Sequence, residues 1–173
     1  MEKINLGRIE VFFRQDSPVF EQRSATNRSG VSEVRTVTLE EAEQTAGWKL
    51  WQPTHLPFAG MELDKVQILD PDGAVDTAVL KYKRDSTRWL VIRQQRIRES
   101  SDIRRIPIPF PLREGVVNNR PAAFFNHAVT ATEQPGGQLE LLCCYWEHGD
   151  FLMELKGPHL SEQVARQIAE SLR

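Results

Sequence analysis

The sequence predicts an α+β fold, in which a largely antiparallel, twisted sheet of about seven or eight strands carries two helices on one face. Short stretches of alternating apolar and polar residues recur along the chain between turn-forming residues, as in antiparallel strands. Two other segments, about 38–46 and 161–172, have apolar residues at helical spacing. The 173 residues fit a single domain, 1–173, with enough chain to bury a substantial core.

Two strands and a short helix are expected at the start of the chain. Apolar residues alternate imperfectly with polar ones over 8–14, which predicts a strand, and a second strand is expected over 31–37. Thr38 and Glu41 have the spacing of a capping box, in which the threonine oxygen accepts from first-turn amides and the glutamate reaches back. Gly47 stands where a glycine commonly ends a helix.

A three-stranded meander is expected over 61–97. Its strands are predicted at 62–69, 75–83 and 88–98. The first ends at Asp70-Pro-Asp-Gly73, a strong turn signal.

Prolines interrupt the pattern at two places. The connection WQPTHLPFAGM contains two prolines and is expected to be extended and not helical. In RRIPIPFPL, over 104–112, every second residue is proline for three steps, so we expect an extended, polyproline-like loop instead of an interior strand. A hairpin turning at Asn118-Asn119 follows, and Ser161 is the expected cap of the last helix.

The only two cysteines, Cys143 and Cys144, are adjacent and precede His148. A structural metal site would need a spacing such as Cys-x-x-Cys and a second pair of ligands elsewhere. Neighbouring residues of a strand point to opposite faces, so these two thiols do not converge on one ion. A disulfide between them would need geometry far from normal. We therefore predict that both thiols are packing residues.

The stretch LELLCCYWEHGDFLMELKG is expected to form a hairpin. A turn at His148-Gly149 would pair Trp146 with Phe151, and Cys144 with Met153. Cys144 would then lie in the main core beside the tryptophan, with Leu142 and, from another strand, Leu80 deeply buried. Cys143 would face the opposite side of the sheet, and His148 would be solvated in the turn.

The motifs of the common enzyme classes are absent. The chain contains neither the G-x-S-x-G of serine hydrolases nor the G-x-x-x-x-G-K of phosphate-binding loops. His55, His127 and His159 are not in a motif that would pair them with a cysteine nucleophile. We predict a protein without catalytic, cofactor-binding or metal-binding residues, and a cysteine-dependent enzyme is the less favoured alternative.

Basic residues are concentrated in 81–105. Nine lysines and arginines stand there against three acidic residues, a local charge of +6 within a chain of net charge -2. This segment could bind an anion or an acidic partner, or it could be a solvated sheet face neutralised by neighbours. Aromatic residues do not alternate with its arginines, so nucleic acid is not expected. The candidate patch is formed by Arg93, Arg96, Arg98, Arg104 and Arg105.

From residue 38 to 172, behind a strand pair in 1–37, the order of elements resembles a bacterial family catalogued as domain of unknown function 4367. The resemblance is carried by four pieces. These are LEEAEQTAGW, the connection from Pro53 to Met61, the pair VLKY and WLVIRQQ, and CYWEHGDFLMELKG followed by SEQVARQIAESL.

This resemblance implies a sensory or interaction module with no catalytic residues. Family members often form the outward-facing part of membrane-anchored proteins, including ones like anti-sigma factors. We therefore expect a part of a longer envelope protein that binds a protein partner or envelope ligand, with a cytoplasmic location as the alternative. No stretch of the sequence is apolar for long enough to span a bilayer. A carrier holding an apolar ligand between sheet and helices is the second functional hypothesis.

Overall fold

The computed structural model describes residues 3–16, 33–70, 74–97, 104–130 and 137–173. Within these ranges the chain forms the following strands and helices: β1 (Lys3–Asn5), β2 (Ile9–Phe13), β3 (Glu33–Val37), α1 (Leu39–Ala46), β4 (Glu62–Asp70), β5 (Thr77–Asp85), β6 (Arg88–Arg96), β7 (Arg104–Ile108), β8 (Arg113–Val117), β9 (Arg120–Thr130), β10 (Gln138–His148), β11 (Phe151–Pro158) and α2 (Glu162–Glu170).

The predicted α+β fold is confirmed. Eight strands form one antiparallel sheet in the order β3-β4-β5-β6-β11-β10-β9-β8. A second, smaller sheet has the order β1-β2-β7, with β2 parallel to β7. The two strands expected in 1–37 therefore do not pair with each other, because β2 belongs to the small sheet and β3 to the edge of the large one.

Both helices pack on one face of the large sheet, which we call the helix face. α1 begins with the predicted capping box of Thr38 and Glu41 and ends at Gly47 in the left-handed conformation, with φ 78°. α2 is capped by Ser161, whose side chain accepts from the amide of Val164. The core on this face contains Ala42 of α1, Ala165 and Ile168 of α2, and, as predicted, Leu80, Leu142 and Trp146.

The small sheet packs on the opposite, outer face of the large sheet, but only over β9, β10 and β11. Ile9 and Val11 of β2 and Ile106 of β7 form a second core there with Phe125 and Tyr145. None of the described residues of β4, β5 or β6 belongs to this second core. The outer face is therefore divided into an apolar half under the small sheet and a half without this cover.

The expectation of a loop over 104–112 is wrong for its first five residues, which form β7. β7 lies at the edge of the small sheet, where Pro107 is opposite Phe12 of β2. A proline lacks only its own amide, and at an edge strand that position can face away from the ladder. The prolines exclude an interior strand but not an edge strand.

The register predicted for the last hairpin is wrong by two residues. Trp146 is opposite Met153, and Cys144 is opposite Leu155, because the turn is formed by Gly149 and Asp150. A shift of two residues leaves every side chain on its predicted face. Both cysteines are buried, and they are divided between the two cores as expected, with Cys144 beside Trp146 on the helix face and Cys143 on the outer face.

His148 is the last residue of β10 and is half-buried, so the prediction of a solvated turn histidine is also wrong. Its ring meets the ring of Trp51 edge-on, with 4.4 Å between the centroids. Trp51 belongs to the proline-containing connection between α1 and β4, which is not helical, as expected, but bends and turns over 57–60 instead of being extended throughout; its apolar residues pack on the helix face.

The connection is held to the sheet by a buried amide side chain. The backbone amide of Trp51 donates to Oε1 of Gln94 at 2.9 Å, and Nε2 of Gln94 donates to the carbonyl of Trp51 at 2.7 Å. One residue further on, Gln52 and Arg173 exchange backbone hydrogen bonds of 3.1 and 3.0 Å. The connection is thereby joined to β6 and to the chain end after α2.

Candidate functional site

The structure does not bring the predicted patch arginines together. Arg93 and Arg96 are both in β6 but lie on different faces. Arg93 is half-buried on the outer face, whereas Arg96 is near the helix face, with its guanidinium carbon 5.3 Å from the centroid of Trp48 and 6.0 Å from that of Phe151. Such contacts between a cation and aromatic rings fix Arg96 at the margin of the helix-face core.

The remaining patch arginines belong to another part of the molecule. Arg104 and Arg105 are in β7 of the small sheet, and Arg105 forms an ion pair with Glu10 at 3.4 Å. Arg98 lies outside the described residues. The four described arginines are therefore distributed over three surfaces.

A different set of basic residues does share one surface. Strand alternation and register place it on the outer face of β4, β5 and β6, which the second core does not reach, and on the adjoining end of β11, whose Leu152 belongs to that core. We call this surface the lysine face, and its members are Lys65, Gln67, Val79, Lys81, Trp89, Val91, Arg93 and Lys156.

Three lysines lie in one row across the lysine face. Lys65 is opposite Lys81, Lys81 is opposite Val91, and Val91 is opposite Lys156. With about 4.8 Å between strands, the row from first to last lysine spans roughly 14 Å. The pKa of Lys81 is lowered, first by burial and then by the charges of the other two lysines, whereas Asp64 acts in the opposite direction.

The neighbouring row carries the fourth cation. Val79 is opposite Arg93, and Arg93 is opposite Glu154, a buried carboxylate. The Nε atom of Arg93 is buried and has no hydrogen-bond partner. Beyond Glu154 this row continues to Tyr145, which lies beneath the small sheet. The row therefore crosses the boundary of the second core.

Three apolar side chains lie among these charges. Val79, Trp89 and Val91 are half-buried, and they belong to neither of the two apolar cores. Trp89 is opposite Lys83, one residue pair beyond the lysine row. The lysine face therefore combines cations with partly exposed apolar surface, a combination that is common at protein–protein contacts.

A small cavity is adjacent to the lysine face. It has a volume of about 30 Å³, which is enough for about two water molecules. Its lining residues come from β9, β10 and β11 and include both polar and apolar side chains: Phe125, His127, Leu141, Cys143, Tyr145, Glu154 and Lys156.

The thiols are not in their nucleophilic form. Burial, and then the charge of Glu154, raises the pKa of Cys143 to about 12, although Lys156 acts in the opposite direction. Burial also raises the pKa of Cys144 well above its usual range. Because only the thiolate attacks or binds metal, burial disfavours both reactions at these two cysteines. In the described part of the chain, no group of three or more histidine, cysteine or acidic side chains is arranged to hold a metal ion.

Sequence reasoning missed the lysine face because its residues are far apart in the chain. Strand alternation indicates which face Lys65, Lys81 and Lys156 occupy within each strand. Only the sheet order, which places β11 directly beside β6, brings the last of them into the same row as the other two.

No family model, curated protein or solved structure matches this chain. The resemblance to domain of unknown function 4367 therefore stays a prediction. Among the described helices, none is both long and apolar enough to cross a bilayer.

Proposed function

We propose that the protein is a non-catalytic interaction domain that binds a protein partner through the lysine face. We further propose that it acts in the bacterial cell envelope, as part of a membrane-anchored or secreted protein that supports signalling. The envelope location is supported by the family resemblance alone. The binding role is supported by the division of the outer face into a covered half and the lysine face.

The observation that carries the proposal is the combination of repelling charges and apolar surface. Lys65 and Lys81 are directly opposite each other, an arrangement that destabilises a sheet. Trp89 and Val91 lie beside them without belonging to a core. A surface with both features loses stability in the free protein and gains it when a partner of opposite charge covers it.

The interior of the helix face supports a binding role over that of a carrier. Trp146, Met153 and Leu155 are fully buried there and pack in the core between sheet and helices. The protonated thiols of Cys143 and Cys144 likewise favour a role without covalent chemistry.

Site-specific photocrosslinking in the source bacterium tests this function. A benzophenone side chain at Val91 is expected to give a discrete adduct with one envelope protein, identified by mass spectrometry. Gln44, an exposed residue of α1, is the control position and is expected to give no such adduct. The Val91 adduct should decrease when Lys81→Glu is added.

Two results would contradict the proposal. Adducts of equal yield from Val91 and Gln44, or none from Val91, would remove the lysine face as a binding surface. A Val91 adduct formed only with cytoplasmic proteins would remove the envelope location and leave the binding role.

A further inference from the structure

We infer that the lysine face binds an acidic polypeptide segment that carries apolar side chains among its carboxylates. This inference rests on the proposed function and names the chemistry of the partner. It follows from three features of the lysine face: its unpaired cations, their spacing and the apolar residues between them.

The cations of the lysine face lack partners within the described part of the molecule. Other basic residues there form ion pairs with nearby carboxylates, for example Lys3 with Glu10 and Arg113 with Glu162. No ion pair of the described residues includes Lys65, Lys81, Lys156 or Arg93. Asp64 and Glu154 lie near these cations but form no ion pair with them in the described residues, so the carboxylates of a partner can supply complementary charge.

The spacing of the cations suits an extended chain. Lys65 and Lys81 are one strand apart, about 4.8 Å, and Lys156 is two further strands away. In an extended polypeptide, side chains on the same face recur about every 6.7 Å. An acidic segment of four or five residues covers the roughly 14 Å of the row, and the flexible lysine side chains absorb the mismatch.

The apolar residues distinguish such a segment from a simple polyanion. A sulfated polysaccharide or a run of phosphates would neutralise the lysines and leave Val79, Val91 and Trp89 uncovered. Trp89 alone does not make the series of aromatic rings on which successive bases of a nucleic acid stack. An extended segment in which acidic and apolar side chains alternate along one face satisfies both the charges and the apolar surface.

A synthetic peptide of three Glu-Glu-Val-Val repeats, called the Glu-Val peptide, tests the inference by fluorescence anisotropy, because each face of the extended chain then carries both glutamate and valine. It has blocked termini and a fluorescent label. We expect saturable binding at 25 mM NaCl that weakens at least tenfold at 200 mM, because exposed charges are screened over about 7 Å at that ionic strength. The variant Lys81→Glu/Lys156→Glu should bind at least tenfold more weakly. The control Lys49→Glu/Arg166→Glu makes the same change of charge at exposed residues outside the lysine face and should bind like the original protein.

Trp89→Ala separates the apolar contribution from the electrostatic one. It should weaken binding of the Glu-Val peptide several-fold and leave binding of a polyglutamate peptide of equal charge unchanged. Thermal melting of each variant verifies folding, and Lys81→Gln/Lys156→Gln provides a milder pair if the charge reversals unfold the protein.

Three outcomes would overturn the inference. The first is that polyglutamate or heparin binds as well as the Glu-Val peptide, which would indicate a polyanion surface. The second is tight binding to phosphatidylglycerol vesicles without binding to the peptide, which would indicate a membrane surface. The third is equal weakening by the Lys49/Arg166 control. A failed peptide titration together with a persistent Val91 crosslink would overturn only the partner's chemistry and leave the proposed function intact.

Discussion

At the scale of single residues, the two cysteines show how burial determines chemistry. They are adjacent in β10 and therefore enter different cores, where each behaves as a small apolar side chain. Neither thiol gains a base or a cation strong enough to offset its burial. The sulfur atoms contribute packing on both sides of the same strand.

Native-state alkylation tests this description of Cys143 and Cys144. With iodoacetamide at pH 8, we expect no mass increase in the folded protein and two carbamidomethyl groups in urea, because only the thiolate reacts. The unfolded sample is the control for reagent quality. Rapid modification of Cys143 in the folded protein would contradict its assignment as a packing residue.

His148 makes the stability of the fold depend on pH. Burial lowers its pKa from the ordinary value of 6.5, and the charges of Arg120 and Arg173 lower it further. The unfolded chain therefore binds the proton first as pH falls. The stabilisation that comes from keeping His148 neutral is complete above about pH 6.5. It is lost as the pH falls through the folded-state pKa of His148.

Urea unfolding between pH 5 and 8 measures this effect. The original protein should be less stable at pH 5 than at pH 7.5, and His148→Gln should reduce that difference. His55→Gln changes an exposed histidine and should leave the difference unaltered. A profile that is the same in the original protein and in His148→Gln would contradict the role given to His148.

At the scale of elements, the connection between α1 and β4 depends on Gln94. Its side chain satisfies both the amide and the carbonyl of Trp51, so Gln94→Ala leaves two partly buried backbone groups without partners. We expect a loss of about 2–3 kcal/mol in the free energy of unfolding. Gln95→Ala, at the next residue and on the outer face, should cost less than about 0.5 kcal/mol. Chemical denaturation of both variants measures these losses, and equal losses would contradict the role given to Gln94.

The sequence predicts the elements better than it predicts how they meet. The capping box at Thr38, the Asn118-Asn119 turn and the two helices follow from local patterns, and the structure confirms each of them. The hairpin register does not, because a turn at Gly149 and Asp150 and the expected turn at His148 and Gly149, one residue earlier, differ little in local preference. The small sheet and β7 depend on pairing between distant segments, which no local pattern encodes.

At the scale of the whole molecule, the net charge of -2 conceals an uneven distribution. Strand order brings Lys65, Lys81 and Lys156 onto one face, and the repulsion between their charges lowers the stability of the free protein. Binding surfaces commonly retain such destabilising charges, because the opposite charges of a bound partner remove the repulsion.

Removing the central lysine should therefore stabilise the protein. We expect Lys81→Gln to raise the free energy of unfolding by about 0.5 kcal/mol at low salt, with a smaller gain in 0.5 M NaCl. Lys83→Gln is the matched control, because Lys83 is opposite Glu62 and Trp89 and has no like-charged residue across the ladder. Thermal or chemical unfolding of both variants at the two salt concentrations measures these changes in stability. Destabilisation by Lys81→Gln would contradict the proposed repulsion.

The most direct test of the lysine face is a map of amide chemical shifts during titration with the Glu-Val peptide. The account predicts that the largest changes fall on Lys81, Val91, Lys156 and their cross-strand neighbours, with small changes in α1, α2 and the strands beneath the small sheet. Changes concentrated on the helices or the small sheet, or none at saturating peptide, would contradict the claim that this protein acts through the lysine face.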